Sequence, residues 1–217
     1  MWLALTTCNR FEVLQLSIHS LLRSSFPEGT HLLISDDCSS DKKAVEFLKI
    51  MSSVKINNLT IETIFREKRL GCDSNMVETI KSCFIKSNDP FVVTIDSDAI
   101  YNPQWLNKLI EAKNTVTDKI GMLTIYDSNW HGSRGSYNDI LNKKDDVGGF
   151  ACMLNRDIFM SPEIKVTSWD WSYVNLCKKL NYLILSTKVS YAQHIGKSGE
   201  HSDGSSNWDH AENFVEF

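Results

Sequence analysis

Four short apolar runs, each ending abruptly in polar or charged residues, constrain this chain more than any other feature. They are Trp2–Leu5, His31–Ile34, Ile61–Phe65 and Phe91–Ile95. Between them lie stretches whose apolar residues recur at helical spacing. Phe11–Arg23 carries Phe11, Leu14, Ile18, Leu21 and Leu22 on one face, and Asp73–Ile85 carries Met76, Val77, Ile80 and Phe84. Ser40 or Asp41 is placed to cap a helix bearing Ala44, Phe47, Leu48 and Met51. Strand–helix alternation repeated this often predicts an α/β fold, with a central, mostly parallel sheet flanked by helices. Phe91–Ile95 is almost wholly apolar, as expected of a strand covered on both faces.

The second half is less regular. Pro103 opens a helix through Trp105, Leu106, Leu109 and Ile110, and Ile120–Ile125 reads as a strand. Residues 126–147 read as a long polar and aromatic loop. Gly148-Gly149 then leads into a strand ending at Leu154, and a helix follows over Trp169–Leu180. Further strands are expected at Tyr182–Leu185 and Val189–Ala192, and 196–217 reads as a flexible tail or lid. At 217 residues, with no linker-like stretch, one domain over 1–195 is the natural division.

Net charge of −4, without runs of Lys or Arg, argues against a nucleic-acid partner. No apolar run reaches the ~18–20 residues of a membrane span, so no transmembrane segment is expected. The apolar start is too short for a secretory leader and reads as a strand. Six cysteines without a C-x-x-C pair fit a reducing compartment, and a cytoplasmic location is expected.

In parallel α/β sheets, ligands bind beyond the carboxyl ends of the strands. There the sequence places Thr6 to Arg10, then Asp36 and Asp37, then Arg66, Lys68 and Arg69, and finally Asp96-Ser97-Asp98. Extended alternation puts Asp96 and Asp98 on one side, two oxygen donors for a hard divalent ion. The competing reading is a turn whose aspartates cap the next helix.

Four blocks then point to a known family. Thr6-Thr-Cys-Asn-Arg10, Ile34-Ser-Asp-Asp-Cys-Ser-Ser-Asp41, Arg69-Leu-Gly-Cys-Asp-Ser-Asn75 and Thr94-Ile-Asp-Ser-Asp98 resemble, in order and spacing, family 2 glycosyltransferases of the GT-A fold. The chain is also similar to small glycosyltransferases of large algal DNA viruses, which would place it in the host cytoplasm. The resemblance implies one Rossmann-like domain with a nucleotide-sugar-binding half (1–100) and an acceptor half (101–195). It implies a UDP-sugar donor, a glycan or glycoprotein acceptor, and Mn2+ or Mg2+. Thr6 and Asp37 match the positions that hold uracil, and Arg69 matches a basic position near base and diphosphate. Asp96 matches the carboxylate near the ribose, with Ser97 beside it, and Asp98 matches the metal ligand on the diphosphate. Arg69 also has an ordinary reading as a solvated charge beside Arg66 and Lys68.

Ser168-Trp-Asp-Trp-Ser-Tyr173 aligns Asp170 with the family's general base, with Trp169 where a Glu is usual. The competing reading is an aspartate placed at a helix start by the helix dipole. In Tyr191-Ala-Gln-His194, the imidazole is either a further metal ligand or a capping histidine. Gly148-Gly149 would let a sugar approach the backbone, or form a bulge. Trp130, His131, Tyr137, Trp169 and Trp171 suit sugar stacking, although core packing claims some of them. The expected reaction is an inverting, metal-dependent sugar transfer. The alternatives are a phosphohydrolase of the haloacid dehalogenase type, with Asp96 as nucleophile, and a non-catalytic nucleotide-sugar-binding module.

Overall fold

The computed structural model describes residues 1–199, 202–203, 209–211 and 213–216. In chain order the elements are β1 (Trp2–Thr7), α1 (Phe11–Leu22), β2 (Thr30–Asp36), α2 (Lys42–Met51), β3 (Leu59–Phe65), α3 (Cys72–Lys86) and β4 (Phe91–Asp96). The second half continues with β5 (Ala99–Tyr101), α4 (Trp105–Asn114), β6 (Ile120–Thr124), β7 (Ser133–Ser136), β8 (Leu141–Lys144) and β9 (Cys152–Asn155). It ends with α5 (Arg156–Phe159), α6 (Trp169–Lys179), β10 (Leu183–Thr187), β11 (Ala192–His194), and the short antiparallel pair β12 (Ser198–Gly199) and β13 (Ser202–Asp203).

Among the described residues, nine strands form one sheet in the order β3-β2-β1-β4-β9-β6-β10-β8-β7. The alternation of the first half appears as four parallel neighbours, β3 to β4, and β6 pairs parallel with β10. β9 runs antiparallel between β4 and β6, so its entry, not its exit, lies at the carboxyl ends of the parallel strands. That reversal brings the loop before β9 to the chemical rim of the sheet.

Side-chain alternation explains the apolar runs. Leu3 and Leu5 of β1 join Leu14, Ile18, Leu48 and Trp105 in one core, formed with α1, α2 and α4. Trp2 and Ala4 face the other way, toward Val77, Ile80 and Phe84 of α3 and Tyr173 and Val174 of α6. Both cores are built from buried apolar side chains, and each fully buried Leu or Phe contributes about 1.5–3 kcal/mol. Asp41 caps α2 by accepting from the Lys43 and Ala44 amides.

The long loop expected over 126–147 contains β7 and β8, which pair antiparallel and extend the sheet through β10. β7 is Ser-Arg-Gly-Ser, fully exposed, so no apolar alternation marks it. The strand expected at Val189–Ala192 lies at Ala192–His194 and pairs with β5 rather than with the main sheet. The expected tail partly lies outside the described residues, His201 among them. Its described residues 209–211 and 213–216 hydrogen-bond to the body: Gln193 exchanges two bonds with the Ala211 backbone, and Asn102 Nδ2 donates to the Val215 carbonyl at 3.0 Å.

Candidate active site

The strand ends converge as the topology requires. Thr6, half-buried at the end of β1, is registered laterally with Ser35 of β2 and Asp96 of β4. Asp37 follows β2 and is buried, its carboxylate accepting from the Leu70 amide at 2.7 Å and the Gly71 amide at 2.9 Å. It thereby fixes the loop that carries Arg69. Arg69 is exposed and close enough to Cys8 to act on that thiol electrostatically. Arg66, by contrast, serves the interior: it reaches Ser35 and Asn75 and pairs with Glu78 at 3.0 Å.

Asp96, half-buried, ends β4, and its Oδ2 accepts from the Ala151 amide at 3.1 Å. Burial, reinforced by the negative charge of Asp98, pushes it up to about 7, against the Ala151 bond and His194. Ser97 is half-buried in the turn that follows. Asp98 lies beyond it and pairs with Arg10 Nη1 at 3.0 Å and His194 Nε2 at 3.4 Å. Burial would raise Asp98, yet His194 and Arg10 outweigh it and hold the carboxyl below its ordinary value. His194 is shifted upward: burial opposes its charge, but the Asp98 hydrogen bond and charge prevail.

His194 reaches Asp98 because β11 pairs with β5, His194 opposite Ala99, and the Ile195 amide donates to the Asp98 carbonyl at 2.8 Å. Arg10 reaches it through two successive left-handed residues, Asn9 (φ 58°) and Arg10 (φ 56°). Such residues cost about 1–3 kcal/mol each. Asn9 Oδ1 holds them by accepting from the Ser40 and Asp41 amides, both at 2.9 Å. The sequence reading gave Arg10 no role; a non-glycine αL pair leaves no composition signal.

The loop 148–151 joins the remaining parts. Gly148 packs against His131, Gly149 against Trp169 and Asp170, and Phe150 against Tyr126 and His194, with ring centroids 4.5 and 5.5 Å apart. Ala151 donates to Asp96. Gly148, Gly149 and Ala151 all have positive φ, and a Cβ on Gly149 would lie 2.9 Å from the Trp169 ring. Asp170 is half-buried in the first turn of α6, with Oδ1 accepting from the Trp171 amide at 2.8 Å. Trp169 is core, edge-on to Phe159 at 5.8 Å, while Trp171 is exposed. Tyr137 bonds Asp118, away from the loop's contacts.

His131 is a second hub. Nδ1 meets Asp146, and Nε2 lies 3.4 Å from Asp209 Oδ2. Asp209 also accepts from Tyr126 Oη at 3.0 Å and from Ser128, and its backbone bonds His194. No local pattern could have joined Asp209 to this site.

The match to known proteins follows this geometry. The family described as Glycosyl transferase family 2 matches residues 3–161. The chain belongs to that family. Membership leaves the phosphohydrolase alternative without support. No curated protein sequence matches this family 2 chain. Among solved structures it is similar to S. aureus TarS 1–349 in complex with UDP-GlcNAc. That match has 17% identity and a TM-score of 0.67, over 95% of this chain and 61% of that one. It is also similar to the mannosyltransferase PcManGT from Pyrobaculum calidifontis in complex with GDP-Man and Mn2+. Here identity is 10% and the TM-score 0.59, over 84% and 53% of the two chains. The chain thus spans about three fifths, or less, of these proteins' lengths. The likeness establishes the family 2 chain's GT-A fold. No described helix is long and apolar enough to cross a membrane.

Asp96, Asp98 and His194 are donors of the kinds that bind Mn2+ or Mg2+, but among the described residues no three such side chains are arranged to hold an ion. The negative charge of Asp98 raises Asp96, whereas Asp98 is itself held low by His194 and Arg10. Asp98 Oδ2 is engaged by Arg10 and His194, so those contacts must rearrange for an ion to take that oxygen.

Proposed function

We propose that the protein is an inverting, divalent-metal-dependent glycosyltransferase, moving a sugar from a UDP-sugar to a hydroxyl of a glycan or glycoprotein. The observation that carries this reading is the loop 148–151, which touches Asp96 at one end and packs against Asp170 at the other. It joins a donor half, 1–100, to an acceptor half, 101–195. Thr6 and Asp37 would hold the uracil, Arg69 the diphosphate, and Asp96 and Ser97 the ribose side. Asp98, with Asp96 and His194, would hold the ion. When bound, the ion supplies positive charge to the diphosphate leaving group.

Asp170 takes the proton of the acceptor hydroxyl as its oxygen bonds to the anomeric carbon. The bond from that carbon to the diphosphate oxygen breaks on the opposite face, and UDP leaves with the electron pair. Arg10, which lies beside Asp98, adds positive charge at the departing side.

The test is calorimetric titration of UDP with and without Mn2+. Binding that strengthens with the ion and is lost in Asp98→Ala supports the donor site. Failure of UDP to bind with Mn2+ present removes the uridine assignment.

A further inference from the structure

One carboxylate ties the C-terminal segment to the candidate site. Asp209 Oδ1 accepts from Tyr126 Oη at 3.0 Å and from Ser128 Oγ, and Oδ2 lies 3.4 Å from His131 Nε2. The residues after it are moored to the body. Gln193 exchanges its two bonds with the Ala211 backbone, and the Val215 amide donates to the Ser190 carbonyl at 3.0 Å. Asp209 is therefore presented to its partners by anchored backbone.

Two of those partners lead directly to the loop 148–151. The His131 ring lies so close to Gly148 that a Cβ there would stand 2.9 Å from Cε1. Tyr126 packs on the Phe150 ring, their centroids 4.5 Å apart. From the sheet side, threonines hold the same loop: Thr94 Oγ1 donates to the Gly149 carbonyl at 2.7 Å, and Thr124 Oγ1 to the Phe150 carbonyl at 2.8 Å. The strands thus grip the loop's backbone, while Gly148 and the Phe150 ring are backed by His131 and Tyr126, and both of these by Asp209.

The loop needs such backing. Ala151 keeps a left-handed φ of 44° despite its Cβ, a conformation that persists only where the surroundings over-determine it. Its amide is the one that donates to Asp96.

We infer that Asp209 is a positioning residue of this site: its carboxylate, acting through His131 and Tyr126, clamps the loop 148–151 and so sets the Ala151 amide on Asp96 and Gly149 beside Asp170. The clamp stands on these contacts, and its consequence for sugar transfer rests on the transferase reading of Asp96 and Asp170.

The experiment follows the Ala151 amide of the full chain by NMR, in its proton shift and its hydrogen exchange. Asp96→Ala identifies the resonance and shows where it lies without its acceptor. Asp209→Ala should move the shift toward that position and speed exchange of Gly149 to Ala151 about tenfold, with β1 to β3 changed less than about twofold. Asp209→Asn keeps an oxygen for Tyr126 and Ser128, and should recover part of both effects. Should the Ala variant not fold, Tyr126→Phe, which deletes one link, carries the comparison, with exchange at the loop about threefold faster. An Ala151 shift and exchange unmoved in these variants overturns the clamp. So does exchange that rises evenly over every strand, since that is a loss of global stability. UDP titration of the wild type separates the readings: an intact Ala151 response without UDP binding keeps the clamp and removes the donor assignment.

Discussion

Gly196 lies so close to Asp98 that a Cβ built on it would stand 2.1 Å from Asp98 Oδ2 and 3.0 Å from Arg10 Nη2. Its backbone is not left-handed, so the need for glycine is one of contact alone. In Gly196→Ala the carboxylate must turn away from Arg10 and His194. We expect Mn2+-assisted UDP binding to weaken about tenfold or more, or ~1.4 kcal/mol. The melting temperature should change little. Calorimetry beside a thermal melt checks both.

Gly149→Ala should behave differently. Here φ is 76° and the Cβ would meet the buried Trp169 ring at 2.9 Å. A core clash of this kind costs about 1–3 kcal/mol, read as a fall in the urea midpoint at unchanged m-value.

Asp170→Asn keeps the size of the side chain and its bond to the Trp171 amide. An enzyme that uses this carboxylate as base should lose about 10²–10⁴ in kcat while donor KM stays near wild type. A sugar-binding module without catalysis should be indifferent.

Asp37 sits amid thiols. Cys8 Sγ donates to its carbonyl at 3.4 Å, Cys38 follows it, and Cys72 follows Gly71, whose amide its carboxylate holds. Cys38 and Cys72 are exposed, and burial pushes the Cys8 thiol up. Maleimide should therefore label Cys38 and Cys72 first and Cys8 slowly. UDP should slow the labelling of all three, as read by mass spectrometry. Equal rates with and without UDP would place the nucleotide elsewhere.

His131 makes stability pH-dependent. Burial opposes its charged form, but hydrogen bonds from Asp209 and Asp146 outweigh this and raise it above 6.5. A histidine raised on folding contributes its full stabilisation below the unfolded value and loses it as pH climbs through the folded one. Melts taken from about pH 6 to about pH 8.5 should show wild type losing more stability than His131→Gln. Asp96 and His194 are common to both proteins, so the difference belongs to His131.

The parallel half of the fold and the residues at its strand ends were legible because two-sided burial writes itself as continuous apolar runs. Asp96 and Asp98 could be named from their place after such an element, whereas Asp170 was named from the family resemblance of its motif. β7 and β8 were not legible, since an exposed Ser-Arg-Gly-Ser edge carries no apolar period. Nor was the approach of Asp209 to His131, or of Arg10 to Asp98, because each depends on where distant segments land. Trp169 and Trp171 show the same limit within one motif: identical residues two apart, one buried and one exposed.

The loop 148–151 also sets terms for anyone wishing to redirect this protein to new substrates. Its four residues each serve a different wall, so randomising them would disturb every subsite at once and return mostly inactive clones. Trp130 and Trp171 are the converse, each anchored through its own backbone amide while the ring faces water. A library restricted to those two positions would vary the exposed surface while leaving the donor machinery and the cores intact.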